Sequence, residues 1–427
     1  MKFQVEAVNE RGRRVSLSKT TYDYENVYTM LVGRNATGKS RLLGRIANHY
    51  LFPSQEFYHA IDTSYGSESA PRQVIVISNS RYDKFPDPIR SARERAGSPI
   101  AYHYLASGSD RFYSPYKVLS AAFATMLDPN YGSLKKEGDL FRVLDYIGFL
   151  PACSFEIRRV SFAKEFDDFD RRRTIGERFD FNQEEFDSDL SPRLQHLDFL
   201  LRGKRSLTVR LDAYSGLQTD ISLHDFSTVV PRLIKAGILR ISRLTLYSKE
   251  SKDKVLFHQA SSGQQCMLLL FLGLSGVMVD GSLVCIDEPE ISLHPKWQAE
   301  FIGLLQENFS HYAGCHFLIA THSPQVVSGL TSKNGFVADL ENNELLPSSD
   351  YAKKSADFQL SEVFHEPGYK NEYLIRTLLV MLSKLSKGGR LSDNDHQRLS
   401  GFETLRGRLD TSDPVLHLLD QIKMLVD

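Results

Sequence analysis

The sequence predicts an α/β fold: a mixed sheet built from strand–loop–helix units, with an antiparallel β-subdomain at one edge, a helical insertion and a helical C-terminal tail. Three stretches predict it. Val27–Val32 is a short apolar run that passes through Gly33-Arg34-Asn35-Ala36-Thr37-Gly38-Lys39-Ser40 into the helical pattern Arg41–Ala47. Leu283–Ile286 is a second apolar run, closed by Asp287-Glu288-Pro289. His316–Ala320 is a third, closed by Thr321-His322-Ser323-Pro324. Runs this short and this uniformly apolar suit strands of a parallel sheet covered on both faces, and polar residues at their carboxyl ends project into the crevice where such sheets bind ligands.

The first stretch has the spacing G-x-x-x-x-G-K-S between a strand and a helix. Its glycines let backbone N–H groups close around phosphates, Lys39 supplies a point charge between the β- and γ-phosphates, and Ser40 offers a hydroxyl to Mg2+. A chance glycine-rich turn is the alternative, and the flanking strand and helix argue against it. At the second strand end, Asp287 is placed to hold Mg2+ through water and Glu288 to orient or deprotonate an attacking water. Upstream, the small-residue turn Ser261-Ser262-Gly263-Gln264-Gln265 opens the apolar segment Cys266–Val279, which reads as a buried helix whose N-terminal N–H groups and serine hydroxyl can bind phosphate. Val74–Ile77 is a further short strand. The following Asn79 either reaches the metal or the attacking water, or closes the strand as an Asx turn.

Bulk properties bound the remainder. With 427 residues, 41% of them hydrophobic, the chain can bury a large core as one domain with insertions or as two to three lobes. A formal net charge of -1 gives no overall basic field, so contact with nucleic acid would need a local patch or a partner. Cys153, Cys266, Cys285 and Cys315 lie far apart, with no C-x-x-C pair, which fits a reducing cytoplasm and speaks against structural zinc or disulfides. The amino-terminal segment lacks an apolar h-region and no long apolar run occurs, so neither an export signal nor a membrane span is expected.

Along the chain, Lys2–Ser18 alternates around Asn9–Gly12 as an edge hairpin. Arg90–Tyr116 reads as a basic, aromatic loop. Val118–Leu127 and Leu140–Leu150 look helical, and Leu194–Leu201 carries a short apolar stripe. Glu165–Asp189, with Arg171-Arg172-Arg173 inside it, reads as a solvated helical face or, alternatively, a DNA-contacting patch. Ser206–Leu223 alternates as a hairpin, and Ile238–Leu246 with Val255–His258 as another. Phe336–Leu340 adds a strand. Ser361–Phe364, Glu372–Leu385, Leu391–Leu405 and Val415–Val426 read as helices, the last with Pro414 at its first position. The expected division is 1–115 (lobe with the G-x-x-x-x-G-K-S loop), 116–250 (helical and β insertion), 251–345 (the remaining core motifs) and 346–427 (helical tail). No repeats or sustained heptads appear.

Lys39, Ser262-Gly263, Asp287-Glu288 and His322 stand in an order that resembles ABC-type ATPases. The soluble relatives of chromosome-maintenance and OLD-type proteins are the nearest in kind: their Asp-Glu-Pro-Glu, Leu-His-Pro and Thr-His-Ser-Pro match Asp287–Glu290, Leu293–Pro295 and Thr321–Pro324. The likeness covers Lys2–Asn79 and Val255–Leu340. The compact length, the Ile77–Ser80 segment and the helical tail further resemble the ATPase subunits of the Septu and PARIS anti-phage systems. The resemblance implies a P-loop NTPase of ABC type using ATP and Mg2+. It implies nucleotide contacts from Gly33, Arg34, Asn35, Ala36, Thr37, Gly38, Lys39, Ser40, Arg41, Asn79, Ser262, Gly263 and Gln264. Ser40 and Asp287 would be metal ligands, and Glu288 and His322 catalytic, His322 as γ-phosphate sensor rather than a histidine satisfied within the core. His294 would cap the acidic loop or join the site.

The same resemblance implies a head-to-tail dimer on ATP, with Ser262 and Gly263 reaching the nucleotide of a second copy, and a scaffold or sensor role that controls a separate nuclease or toxin. There are two departures from the pattern: Gln264 stands where the signature has its second glycine, and Asn79 where many relatives have glutamine. Two other functions remain in view. A DNA-repair or chromosome-associated ATPase would bring long heptads or a strongly basic surface. An OLD-type nuclease would need a C-terminal Toprim module, and beyond Leu340 only Asp393-Asn394-Asp395 stands out, at a helix start where it reads as a cap.

Overall fold

The computed structural model describes residues 2–10, 12–21, 24–52, 61–63, 68–79, 84–86, 100–106, 115–126, 133–160, 186–201 and 203–426. By contacts the chain divides into two units: Met1–Val74 with Asp83–Ala101 and Asp280–Asp427, and Ile75–Tyr82 with Tyr102–Val279.

In the first unit four strands lie parallel in the spatial order Gly335–Asp339, Val27–Val32, His316–Ala320, Leu283–Asp287, and Glu344–Pro347 pairs antiparallel with the first of them. Every residue of the four parallel strands is buried, which is why they read as unbroken apolar runs rather than as alternating ones. The register sets Asp287 beside Ala320 and Ala320 beside Leu31, while Asp339 lies beside Val32. The four carboxyl ends therefore form one rim. The edge β-subdomain is a three-stranded antiparallel sheet in the order Arg13–Ser16, Val5–Glu10, Ile61–Thr63. The tail is helical: Ala356–Glu362, Glu372–Ser386, Asp393–Thr404 and Pro414–Val426, although the helix expected over Ser361–Phe364 instead begins at Ala356 and ends at Glu362. Leu374, Leu378, Met381, Phe402, Leu405, Val415, Leu419 and Ile422 close over a core of their own. Ser392, not the aspartate run, is the cap of Asp393–Thr404; Asp395 reaches back to it and completes a capping box.

Gln73–Ser78 and Ala101–Ala106, most of whose residues fall in the second unit, are neighbouring strands. A five-stranded antiparallel sheet runs in the order Lys254–Leu256, Leu239–Ser248, Phe149–Arg159, Ser206–Asp212, Gly216–Thr219. Both expected hairpins are there. The helix expected over Leu140–Leu150 instead ends at Tyr146, and the central eleven-residue strand starts at Phe149. Gly148, at φ 94°, makes the turn between them in a conformation that L side chains rarely adopt. Ala101–Ala106 is a strand where a loop is expected; its Tyr and Leu content suits one. Most of the rest of Arg90–Tyr116, and Glu165–Asp189 up to residue 185 including Arg171–Arg173, lie outside the described residues. The helix Ser262–Val277 is buried on almost every side and packs on Pro115–Met126 so closely that a Cβ at Gly276 would collide with the Ala122 backbone. No helix among the described residues is long and apolar enough to cross a membrane.

Candidate active site

Each parallel strand of the first unit delivers one piece of chemistry to the rim. After Val32 the chain turns through Gly33 (φ 143°), Ala36 (φ 68°) and Gly38 (φ 97°) before the helix Lys39–Leu51 begins. Gly38 is the residue at the helix N-cap, and its left-handed φ is what a glycine there permits. The Lys39 side chain arches back over this loop. Its Nζ donates to the carbonyls of Gly33 (2.7 Å) and Arg34 (3.1 Å) and lies 3.3 Å from His322 Nδ1. Burial pulls the Lys39 pKa down to about 8, against the opposing pull of Glu288, Glu290 and Asp287.

Ser40 Oγ donates to Asp287 Oδ1 at 3.0 Å. A hydroxyl and a carboxylate held this way are hard oxygen donors that fit a Mg2+ ion completed by phosphate oxygens and water. No cluster of three or more His, Cys, Asp or Glu able to hold a metal occurs among the described residues.

Glu288 is held at φ 52°, its N–H donating to the Ala320 carbonyl at 2.9 Å. A non-glycine residue in that region is backbone strain concentrated at a site of polar chemistry. The Glu288 carboxylate lies 4.0 Å from His322 Nε2. Burial, then the Lys39 charge, lowers the His322 pKa to about 4, so the imidazole is neutral near pH 7 and can take a hydrogen bond.

Nothing local in the Asp287–Glu290 motif marks a separate role for Glu290. Glu290 is the anchor of the His322 loop: its carboxylate accepts from Thr321 Oγ1 (2.9 Å) and from the His322 N–H (2.5 Å). Burial raises its pKa. Gln298 adds a brace, donating to the Leu293 carbonyl (3.0 Å) and accepting from Ser323 Oγ (2.7 Å). His294 caps the helix Pro295–Phe309 through Nδ1, which accepts from the Lys296 N–H. The structure thus gives it the capping role.

Lys39, Ser40, Asp287, Glu288 and His322 come together in the first unit. Ser262, Gly263, Gln264 and Asn79 belong to the second. There, Ser261 is the N-cap of Ser262–Val277, and Gln264 occupies the position of the expected glycine for a local reason: it accepts from the Ser261 N–H (2.9 Å), and its amide donates to the Ile147 carbonyl (2.9 Å). Ser262 is exposed at the first position of that helix. Asn79 hydrogen-bonds the Cys266 thiol on the same helix.

Residues 77–328, more than half of the chain, match the family described as "AAA domain, putative AbiEii toxin, Type IV TA system". The chain belongs to this AAA family. The matched span contains Ser262, Asp287, Glu288 and His322 and begins beyond the P-loop. Among curated proteins, the Retron Vc95 probable ATPase of Vibrio cholerae serotype O1 biovar El Tor is 24% identical over 196 residues, covering 45% of this chain and 37% of the relative. The Retron Ec83 probable ATPase of Escherichia coli is 32% identical over 87 residues, 18% of this chain and 16% of the relative. The chain thus matches well under two thirds of either relative's length. Among solved structures, the SMC head domain from Thermotoga maritima aligns over 81% of this chain and 99% of its own at 12% identity, with a TM-score of 0.28. In this AAA-family chain the P-loop, the acidic strand end and the histidine loop occupy one rim of a parallel sheet, the place where open α/β sheets bind ligands.

Proposed function

We propose that the chain is an ABC-type ATPase that binds Mg2+-ATP on this rim and hydrolyses it at a head-to-tail interface between two copies. The observation that carries the reading is the convergence of Lys39, Ser40, Asp287, Glu288 and His322 from three adjacent strands, with contacts of 3.0, 3.3 and 4.0 Å among them. Backbone N–H groups of Gly33 to Ser40, with Arg41 following, would cradle the phosphates, and Lys39 would exchange its loop carbonyls for phosphate oxygens. A bound Mg2+, held by Ser40 and through water by Asp287, supplies charge neutralisation on the phosphates. Glu288 takes the proton of the attacking water as its oxygen bonds to the γ-phosphorus and the bond to the β–γ bridging oxygen breaks, giving ADP and phosphate. Neutral His322, fixed by Glu290, would donate to or accept from the γ-phosphate side of the site. Ser262, Gly263 and Gln264 of a second copy would close over the nucleotide, and Asn79 would reach the metal or the water. In this reading the four segments 1–115, 116–250, 251–345 and 346–427 keep their expected roles.

The relatives' names, retron ATPases and a toxin-system family, support a place in bacterial defence. The ATPase would act in the cytoplasm as scaffold or sensor for a separate nuclease or toxin: an HNH nuclease in a Septu-like arrangement, a Toprim-type effector in a PARIS-like one. The test of the catalytic assignment is Glu288→Gln. The amide keeps the shape and loses the base, so ATP affinity measured by calorimetry should persist while phosphate release falls by about 100-fold or more. The variant should also accumulate as an ATP-bound dimer in size-exclusion chromatography with light scattering. Wild-type turnover by this variant would move the base elsewhere.

A further inference from the structure

The fourth parallel strand, Gly335–Asp339, also ends on the rim, and two residues beyond it stands Glu341. Its carboxylate grips the P-loop residue Arg34 with two bonds: Oε2 accepts from Nε (2.9 Å) and Oε1 from Nη2 (2.5 Å). The same Oε1 accepts from Nη2 of Arg408 in the C-terminal tail at 2.6 Å. The Glu341 carbonyl takes a further bond from Arg13 Nη2 at 3.3 Å.

Both ends of this link are built in. On the tail side, Arg408 also donates to the His365 carbonyl. The His365 ring meets Asp339 Oδ2 at 2.8 Å, and Asp339 Oδ1 accepts from the Glu341 N–H at 2.8 Å. Asp339, His365, Arg408 and Glu341 thus form a closed ring. On the P-loop side, the Arg34 carbonyl accepts from Lys39 Nζ (3.1 Å) and from Thr37 Oγ1 (2.9 Å). The residue whose side chain Glu341 holds is the residue whose backbone holds the phosphate-binding lysine. Isolated surface ion pairs contribute little, but a two-pronged guanidinium on a carboxylate that is only 16% exposed and shared with a second arginine is a network of defined geometry.

We propose that Glu341 is a positioning residue that couples the C-terminal helices to the P-loop: it fixes the loop through Arg34 and the tail through Arg408, so a change at either end is felt at the other. By reciprocity, tail rearrangement alters nucleotide affinity and nucleotide binding alters the order of the tail. The inference rests on the nucleotide reading of the P-loop.

The test measures Mg2+-ATP affinity of the full chain by calorimetry for wild type, Glu341→Gln, Arg408→Gln, Arg34→Gln and the Arg34→Gln/Arg408→Gln pair, with hydrogen exchange at residues 405–409 with and without ATP. Arg406→Gln is the control: its guanidinium engages Glu403 and Asp420 in the same tail segment and not Glu341. Glu341→Gln and Arg408→Gln should each raise Kd about five-fold or more, within the ordinary range of allosteric coupling, and the double variant should be less than additive. ATP should change exchange at 405–409 in wild type and not in Glu341→Gln, and Arg406→Gln should leave Kd unchanged. A wild-type Kd in Arg408→Gln, or an equal loss in Arg406→Gln, would show the contact to be structural only. Absence of ATP binding by wild type would instead remove the nucleotide reading itself.

Discussion

The strand His316–Ala320 begins with one histidine and is followed, two residues past its end, by another, and the two sit in opposite kinds of chemistry. His316 is wholly buried at the amino-terminal edge of the sheet, and both ring nitrogens are engaged: Nδ1 accepts from the Val5 N–H (3.1 Å) and Nε2 meets Thr29 Oγ1 (3.0 Å), which in turn donates to the Leu17 carbonyl (2.6 Å). Around it Asn26 bonds the Cys315 N–H and the Phe309 carbonyl at 3.0 Å each. These polar groups stitch the edge hairpin to the sheet and satisfy one another. His322, at the carboxyl-terminal rim, is a third exposed, 3.3 Å from an ammonium and 4.0 Å from a carboxylate whose backbone is strained. One end of the sheet resolves its polar groups into structure; the other holds charges close without neutralising them all, as a site for a charged ligand requires.

The sharpest way to separate the two ends is to remove a charge from the rim. Lys39→Ala should abolish measurable Mg2+-ATP binding in calorimetry while changing unfolding free energy by only about 1 kcal/mol, since the ammonium is already disfavoured by burial. Unaltered affinity in that variant would overturn the site.

The converse variant acts on the other end. His316→Ala removes the acceptor of the buried Val5 N–H, leaves the Thr29 hydroxyl only its bond to the Leu17 carbonyl and empties a fully buried ring site, so it should lower stability by about 3 kcal/mol in urea unfolding. The fraction that stays folded should bind ATP as wild type does. A loss of affinity as large as that in Lys39→Ala would mean that the two ends are not separable.

The rim was legible in the sequence because buried parallel strands are dominated by apolar residues: VYTMLV, LVCID and HFLIA carry few polar positions, and they give way to a glycine turn, an acidic pair and a Thr-His pair. The turn from Gly33 to Ser40 was legible because a glycine-rich passage from a buried strand into a helix constrains spacing. What escaped the sequence depends on partners far along the chain. Glu341 meets Arg34 and Arg408 across 307 and 67 residues, and no local pattern marks that meeting. Glu290 lay inside a recognised motif, but its work on Thr321 and His322 is visible only once two strand ends are side by side. The strand Phe149–Arg159 was blurred by Pro151 and by an apolar helix leading straight into it, and Gln264 looked like a departure because its partner, the Ile147 carbonyl, belongs to that same misread turn.

The smallest expected effect, and the most specific to the amino-terminal end, is a pH dependence. Burial lowers the His316 pKa to about 3, against 6.5 for an unburied imidazole. Nδ1 already accepts the Val5 N–H, so a proton there would expel that bond and place a charge in the core. Below pH 6.5 the unfolded chain takes up a proton that the folded chain refuses; the unfolded state then binds more protons, and stability falls as pH falls from 6.5 towards 3. The slope approaches 1.4 kcal/mol per unit once pH is well below 6.5, which makes the loss about 1 kcal/mol between pH 6.5 and 5.5, a window above most carboxylate titrations. Urea unfolding across that window should show the fall in wild type, and His316→Gln, which cannot titrate, should show a shallower one by about that amount. His322→Gln should flatten the profile by a similar amount in this window, because burial and the Lys39 charge also hold that folded-state pKa down at about 4; the two variants part below pH 5, where His322 begins to take up its proton and His316 does not. A wild-type slope in His316→Gln would show that the buried histidine does not carry this pH dependence.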